Sequence, residues 1–224
     1  MQLRHEYKIY LNKSDYYAIK PRLKAVMKPD AYVLSDGSYK IRSLYFDNYE
    51  DKALKEKADG ISRREKFRIR CYNFNHDFIR VEKKIKLAGL GTKLSARITK
   101  DEVARLIQGD YEFLKHSGNA VLTELYAKMK HQLLRPKTIV DYTREPFVYA
   151  AGNVRVTLDY GIRTGLGSIN MLDPNLPAVP TEEGLVILEV KYDNFLPTVI
   201  RDIVNAGGRE ASAFSKYMSC CKFY

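Results

Sequence analysis

Short runs of alternating residues carry the chemistry of this 224-residue chain. In Lys66-Phe67-Arg68-Ile69-Arg70-Cys71, every second side chain is basic and those between are apolar. In Arg80-Val81-Glu82-Lys83-Lys84-Ile85-Lys86-Leu87, one face carries Arg80, Glu82, Lys84 and Lys86. The pattern returns in Arg155-Val156-Thr157-Leu158-Asp159, and again in Val186-Ile187-Leu188-Glu189-Val190-Lys191, where Glu189 and Lys191 share a face. Arg4, Glu6 and Lys8 lie opposite Tyr7, Ile9 and Leu11, and Tyr142 and Arg144 make one more pair. Cations in a row suit a ligand with several negative charges in a row, and the planar fork of Arg pairs two phosphate oxygens at once. A hard cation such as Mg2+ or Mn2+ keeps several waters, so one or two carboxylates among these residues suffice to hold it. Glu189, beside Lys191, is the best candidate. Glu6, Glu82 and Asp159 are either helpers in ligation or internal ion-pair partners that orient a neighbouring Arg or Lys. Positioning, charge neutralisation and a bridging metal are the requirements of phosphoryl transfer.

The whole chain is basic. Lys and Arg total 38 against 27 Asp and Glu, a formal charge of +11, with pI about 9.4. Arg63 to Lys86 alone holds nine Lys/Arg against three Asp/Glu, more than half of that surplus. Such a balance implies a polyanionic partner: nucleic acid, an anionic membrane surface or a phosphate-rich small molecule. Single-strand binders place aromatic platforms among their cations. Here the strand cations are followed mainly by more charges, so no nucleic acid is expected. No apolar run has the length of a membrane-spanning helix, and Met1 to Glu6 does not read as a secretory signal. Three cysteines without a Cys-x-x-Cys spacing and four scattered histidines argue against a disulfide framework or a zinc site, and point to a reducing cytoplasm. Gly89-Leu90-Gly91-Thr92-Lys93 is too short for a P-loop and reads as a hairpin turn. Gly207-Gly208 reads as a helix end, and Cys220-Cys221 as helix packing.

The elements that must position these residues are strands with two different faces. Period-2 segments run from Arg4 to Leu11, Tyr39 to Asp47, Arg64 to Tyr72, Phe78 to Leu87, Thr138 to Phe147, Asn153 to Tyr160 and Leu185 to Tyr192. One helix begins near Ser14, with Ile19, Leu23 and Val26. A second follows the capping box Thr99-Lys100-Asp101-Glu102, with Val103, Leu106 and Ile107. A third spans about Asn119 to Leu134, with Leu122, Leu125, Met129 and Leu133 on one side. A fourth follows Pro197, with Ile200, Ile203 and Val204. Met171 to Glu183 holds three prolines and reads as a long loop. No linker divides the chain, so residues 1–224 read as one α+β domain with an antiparallel sheet of seven or eight strands. The charged faces allow two arrangements. A half-exposed sheet would leave them in water. A closed barrel would turn them inward to line a wet tunnel, with the apolar faces outside beneath the helices. The near absence of Thr, Ser and Gln from the polar faces, and the repulsion of aligned like charges, favour the tunnel.

Glu6-Tyr7-Lys8, Tyr45-Phe46-Asp47, Arg68-x-Arg70, Glu82-x-Lys84, Tyr142-x-Arg144, Arg155-x-Thr157-x-Asp159, Leu188-Glu189-Val190-Lys191-Tyr192 and Ser215-Lys216-Tyr217 occur in that order from Arg4 to Tyr217. As an ordered set they resemble the catalytic domain of the vacuolar transporter chaperone (VTC) complex, among the CYTH-like triphosphate tunnel metalloenzymes. The resemblance implies a closed eight-stranded antiparallel β-barrel with helices packed outside. It also implies a polyphosphate polymerase that passes the γ-phosphoryl of ATP or another nucleoside triphosphate to inorganic polyphosphate, with Mn2+ or Mg2+ as cofactor. By the same similarity, Lys8, Arg68, Arg70, Lys84, Lys93, Arg144, Arg155 and Lys216 hold phosphates, with Lys86 and Lys191 on the same charged faces. Tyr142 and Ser215 add hydrogen bonds, and Glu189 is the principal metal ligand. Neither the inositol-phosphate-sensing domain nor the membrane-spanning tail of longer family members is expected here. A membrane-protein partner for the product is therefore expected to be separate. A triphosphate or polyphosphate hydrolase of the same fold, and a non-catalytic polyanion-binding barrel, are the competing readings.

Overall fold

Alternating apolar and charged residues do form strands here, and one sheet collects all of them. The computed structural model describes residues 3–205, 209 and 211–223. In chain order the elements are β1 (His5–Leu11), α1 (Lys13–Val26), β2 (Lys28–Pro29), β3 (Tyr39–Asp47), α2 (Lys52–Ala58), β4 (Arg63–Tyr72), β5 (Asn75–Leu87), β6 (Leu90–Ile98), α3 (Lys100–Ile107), α4 (Ala120–Gln132), β7 (Arg135–Tyr149), β8 (Val154–Thr164), β9 (Val179–Pro180), β10 (Val186–Tyr192), α5 (Thr198–Val204) and α6 (Lys216–Cys221). The 10-stranded sheet runs β1-β10-β8-β7-β3-β4-β5-β6, with β2 paired to β7 and β9 to β8. Its ladders are antiparallel, and the class is α+β as expected.

The sheet curls until its end strands meet, but not as the expected closed eight-stranded barrel. Among the described residues the two ends meet at one bridge, where Arg4, just before β1, and Gly91 of β6 exchange backbone hydrogen bonds of 3.0 and 2.9 Å. The reason is strand length. In that antiparallel register, each step forward from Arg4 moves the partner back toward the Ala88–Gly89 turn, so β6 ends at once. The glycine-rich stretch is a hairpin turn at Ala88 (φ 46°) and Gly89 (φ 82°). It also opens β6, a strand that has no place among the period-2 segments read from the sequence.

Local chemistry sets the helices. Asn12 and Asp15 form a reciprocal capping box at α1, and Thr99 and Glu102 form the expected one at α3. Leu133 ends α4 in a left-handed conformation and is 61% exposed, so it does not share the buried side of Leu122, Leu125 and Met129. Val26 likewise turns outward at the end of α1. The helix α2 is unanticipated, and Gly207-Gly208 lies outside the described residues. Two apolar layers cover the outer face of the sheet, one beneath α3 and α4 and one beneath α1 and α5. A third lies on the inner face, where α6 sets Tyr217 and Cys220 against Tyr45, Val140, Tyr142, Ile162 and Ile187. The inside is therefore part apolar and part charged, because β3, β7, β8 and β10 place Ile41, Val140, Ile162 and Ile187 in this inner cluster.

Asp47 couples this inner helix to the sheet. Its buried carboxylate accepts from the backbone N–H of Asn48 (2.9 Å), Ala53 (2.9 Å) and Leu54 (3.2 Å), and from the Tyr217 hydroxyl (2.6 Å). It thus caps the start of α2, where Asp51 makes no capping bond. Losing several charge-assisted bonds at once should be expensive. Asp47→Ala is expected to lower the unfolding free energy by roughly 3 kcal/mol, and Tyr217→Phe by about 1 kcal/mol. Urea unfolding of the two variants measures both losses; equal losses would contradict the hub role of Asp47.

Candidate functional site

The inner face holds a cavity of about 480 Å3, within the range of roughly 300–1,000 Å3 usual for small-ligand sites. Among the described residues fourteen lysines and arginines line it, against the carboxylates of Glu6, Glu65 and Glu189. Strand alternation delivers them. Arg64, Lys66, Arg68 and Arg70 come from β4, Lys84 and Lys86 from β5, Lys93 from β6, and Arg144 from β7. Arg155 comes from β8, Lys191 from β10, and Lys8 from β1. Lys216 enters from the first turn of α6, behind the cap Ser215. Tyr39, Tyr45, Tyr72 and Tyr142 supply rings and hydroxyls. The structure thus brings Lys8, Arg68, Arg70, Lys84, Lys86, Lys93, Tyr142, Arg144, Arg155, Glu189, Lys191, Ser215, Lys216 and Glu6 to one wall.

Glu82 and Asp159 stand apart from that wall. Both are fully buried behind it. Glu82 accepts from Arg68 Nε (2.8 Å) and Lys93 Nζ (2.5 Å), with Arg70 3.7 Å away. Asp159 takes both arms of Arg144 (2.6 and 2.7 Å) and Lys216 Nζ (2.6 Å). In this geometry they are ion-pair partners that orient cations, the second of the two roles open to them from the sequence. Burial opposes the charge on Glu82, but Arg68, Arg70 and Lys93 outweigh it and hold its carboxyl far below the usual range. Burial likewise opposes charge on Asp159, and Arg144 and Lys216 hold it down. Further bonds fix the guanidinium groups: Arg68 donates to the Tyr45 hydroxyl (2.8 Å), and Arg70 to Ser43 (3.1 Å) and Tyr142 (3.0 Å). Arg155 donates to Tyr39 (2.8 Å) and pairs with Asp30 (2.9 Å).

Glu6 and Glu189 are the carboxylates of the inner wall available to a ligand. Cross-strand pairing of Glu6 with Lys191 and of Lys8 with Glu189 makes the two glutamates diagonal neighbours. Lys84 binds both oxygens of Glu6 (3.0 Å each), and Lys191 binds Glu189 (2.6 Å). Burial disfavours both charges; Lys84 outweighs it at Glu6, and Lys191 and Lys8 at Glu189, so both pKa values fall. Glu65 is taken up by Lys83 (2.7 Å) and Lys128 (2.5 Å). Among the described residues no cluster of three His, Cys, Asp or Glu is arranged as a metal cage. Two ionised carboxylates beside many phosphate-seeking cations fit a hard cation that takes its remaining ligands from phosphate and water.

Lys66 and Tyr45 were not singled out from the sequence as site residues, although Lys66 stands in the same alternation as Arg68 and Arg70. Lys66 sits over the rings of Tyr45 (5.6 Å) and Tyr217 (5.9 Å). Burial, together with Lys84, Lys8 and Arg68, pushes its pKa down to about 7 against the pull of Tyr45. Tyr45 itself is brought down to about 7: burial raises it, but Arg68, Lys66 and Arg70 prevail. Lys84 falls to about 8 through burial and Lys8, against Glu6.

These shifts give stability a pH dependence. Unfolded lysine and tyrosine keep their protons to about pH 10, whereas folded Lys66, Lys84 and Tyr45 release theirs from about 7 to 8. Between those limits the unfolded chain binds more protons, so stability rises with pH. The carboxylates act at the other end. Depressed in the folded state, they contribute stability above their unfolded value of about 4, and it is lost as pH falls further. Thermal unfolding of the ligand-free protein should therefore move to higher temperature from pH 7 to 9. Lys66→Met should flatten that rise; a wild-type profile that falls over this window contradicts the assignment.

Known proteins share this architecture. No curated protein sequence matches the chain. The PH1819 protein of Pyrococcus horikoshii OT3 aligns with a TM-score of 0.51 at 11% identity, over 98% of each chain. A Bacillus halodurans protein described as a candidate adenylate cyclase aligns with a TM-score of 0.51 at 13% identity, over 91% of this chain and 89% of its own. The PH1012 protein of Pyrococcus horikoshii OT3 gives a TM-score of 0.51 at 13% identity, over 97% of this chain and 98% of its own. At these identities the likeness is one of fold. The model of the VTC domain matches residues 3–224, and with the ordered motifs all on this one sheet and its inner helix, the chain belongs to the VTC domain family.

Proposed function

We propose that this chain is a metal-dependent polyphosphate polymerase, in which the γ-phosphoryl of ATP or another nucleoside triphosphate passes to the end of a phosphate chain held in the cavity. One observation carries this reading: among the described residues fourteen cations, thirteen from seven strands and two helices and one from the segment before β1, face three carboxylates in a single cavity. Like charges so gathered repel in a partly desolvated volume, and a polyanion relieves that repulsion. We read residues 1–224 as one domain, since every strand joins one sheet, and the curled sheet as a working triphosphate tunnel. No described helix is long and apolar enough to cross a membrane. A cytoplasmic site of action, and a separate membrane protein as destination for the product, belong to the same reading.

In this proposal Lys8, Arg68, Arg70, Lys84, Arg144, Arg155 and Lys216 hold and orient phosphates, supplemented by Lys86, Lys93 and Lys191. Tyr142 and Ser215 offer hydroxyls. Glu82 and Asp159 act behind the wall: by fixing Arg68, Arg144 and Lys216 they hold donors in place before substrate arrives, and little reorganisation remains at the moment of transfer. Glu189, with Glu6, would hold Mg2+ or Mn2+. Bound there, the metal would supply charge neutralisation at the phosphoryl oxygens. Lys191 and Lys84, now paired with these two carboxylates, would then be free to turn to phosphate.

Incubation with ATP and Mn2+ tests the reaction. Accumulation of long chains is the expected result. Phosphate release without chains would make water the acceptor and the protein a hydrolase; neither product would leave a polyanion-binding barrel. Chelation with EDTA should abolish turnover, and added Mn2+ or Mg2+ should restore it. Glu189→Gln should lower turnover by about 100-fold or more while tripolyphosphate binding without metal stays as tight or tightens, because a negative charge has left the cavity. Unchanged turnover in that variant would remove Glu189 from the metal site. Because bound phosphate favours the charged form of Lys84, whose pKa is pushed down to about 8, tripolyphosphate affinity should weaken as pH rises through 8 to 9. Proton uptake on binding, read by calorimetry in buffers of different ionisation heat, checks the sign.

A further inference from the structure

The cavity cations are not equally compensated. Lys8 (3.7 Å), Lys84 (3.0 Å), Lys86 (3.9 Å) and Lys191 (2.6 Å) each reach Glu6 or Glu189, and Arg68 (2.7 Å), Arg70 (3.7 Å) and Lys93 (2.5 Å) reach Glu82. Arg144 and Lys216 (2.6 Å each) hold Asp159, Arg155 holds Asp30 (2.9 Å), and Arg4 holds Asp193 (2.7 Å). Among the described residues, Lys57, Arg64 and Lys66 line the same space with no carboxylate partner. Arg64 donates to the Ile61 carbonyl, and Lys66 reaches the Ser215 hydroxyl at 3.5 Å.

These three residues lie together. Arg64 and Lys66 are alternate residues of β4 and share its inner face, opposite Lys86 and Lys84 of β5. Carboxylates enter that double row only at the next pair, Arg68 and Glu82. Glu65, between them in sequence, is engaged by Lys83 and Lys128. Lys57 comes from α2, which packs on β4. Burial lowers its pKa, and Arg64, Lys8, Lys86 and Lys84, all positive, lower it further. One part of the cavity is thus balanced by acids and one part is not.

We infer that Lys57, Arg64 and Lys66 form a separate subsite for the stretch of phosphate chain that lies beyond the bound triphosphate. This rests on the proposed function and adds a direction to it: the growing chain runs from the acid-balanced region toward α2. Internal phosphates of a chain carry about one negative charge each and no base or sugar, so a row of cations without ring platforms matches them. The nearest rings do not offer a platform. Tyr45 and Tyr217 are stacked on each other at 5.1 Å, with Lys66 over both. An oligonucleotide therefore fits this part of the wall less well than a bare phosphate chain.

Binding of two probes to the metal-free protein tests the inference: tripolyphosphate, and an inorganic polyphosphate several times longer. In Lys57→Ala/Arg64→Ala, affinity for the long chain should fall by about tenfold or more, while tripolyphosphate affinity changes by less than about twofold. The variant should also unfold at the same or a higher temperature, since two repelling charges are gone. Lys57→Gln alone, near the end of α2 and with no side-chain partner among the described residues, should give a smaller loss of the same kind and keeps the test open should the double variant not fold. Unchanged long-chain affinity overturns the subsite, and so does an equal loss for both probes. A matching loss of oligothymidylate binding would overturn its assignment to phosphate chains. A wild-type protein that binds neither phosphate probe would instead defeat the proposed function itself.

Discussion

Mutual repulsion of cations in an enclosed space is the constraint around which this structure is arranged. Among the described residues fourteen Lys and Arg side chains line a cavity of about 480 Å3. Confined away from bulk water, such charges interact far more strongly than on a surface. Two devices make the fold tolerate them. Fully buried Glu82 and Asp159 sit behind the wall and draw Arg68, Arg70, Lys93, Arg144 and Lys216 back toward the sheet. Where burial and neighbouring cations outweigh the acids, protons leave instead: the pKa of Lys66 is pushed down to about 7 and that of Lys84, despite Glu6, to about 8.

Those devices also prepare the cavity for a ligand. An arginine held by a buried carboxylate has lost its rotamer freedom already, so less ordering would remain for any anion to impose. Arg144 shows this most clearly, with both arms on Asp159 and one of them 3.7 Å from Glu189. Lysines held only through wall glutamates are different. Lys84 and Lys191 share Glu6 and Glu189 with whatever enters, so their pairings can be exchanged as the charge in the cavity changes.

The inner helix α6 gives the cavity its shape. It occupies the concave face with Tyr217 and Cys220 and presents Lys216 from its first turn. A lysine there opposes the helix dipole, and Asp159 at 2.6 Å offsets the conflict. The bond from Tyr217 to Asp47 joins α6 to the start of α2. One carboxylate therefore links the helix that bears Lys216 to the helix that bears Lys57.

Much of this was legible in the sequence, and for a definite reason. Period-2 alternation is a property of the strand itself, so the faces of β1, β4, β5, β8 and β10 follow from residue order, as do the capping box at Thr99 and the hairpin turn. Apolar side chains must be buried, which sets the strand face that lies beneath the helices, whereas the curl of the sheet decides that the charged face lines a cavity. Other features depend on partners far apart in the chain. Whether β1 and β6 close, how α6 enters the sheet, and that α2 brings Lys57 to the cavity are decided by long-range packing that leaves no local period. The same holds for the carboxylates. Sequence places Glu82 and Glu189 alike on charged faces, and only the folded sheet buries one behind the wall and turns the other to the cavity, because burial is set by neighbouring strands and not by the strand that carries the residue.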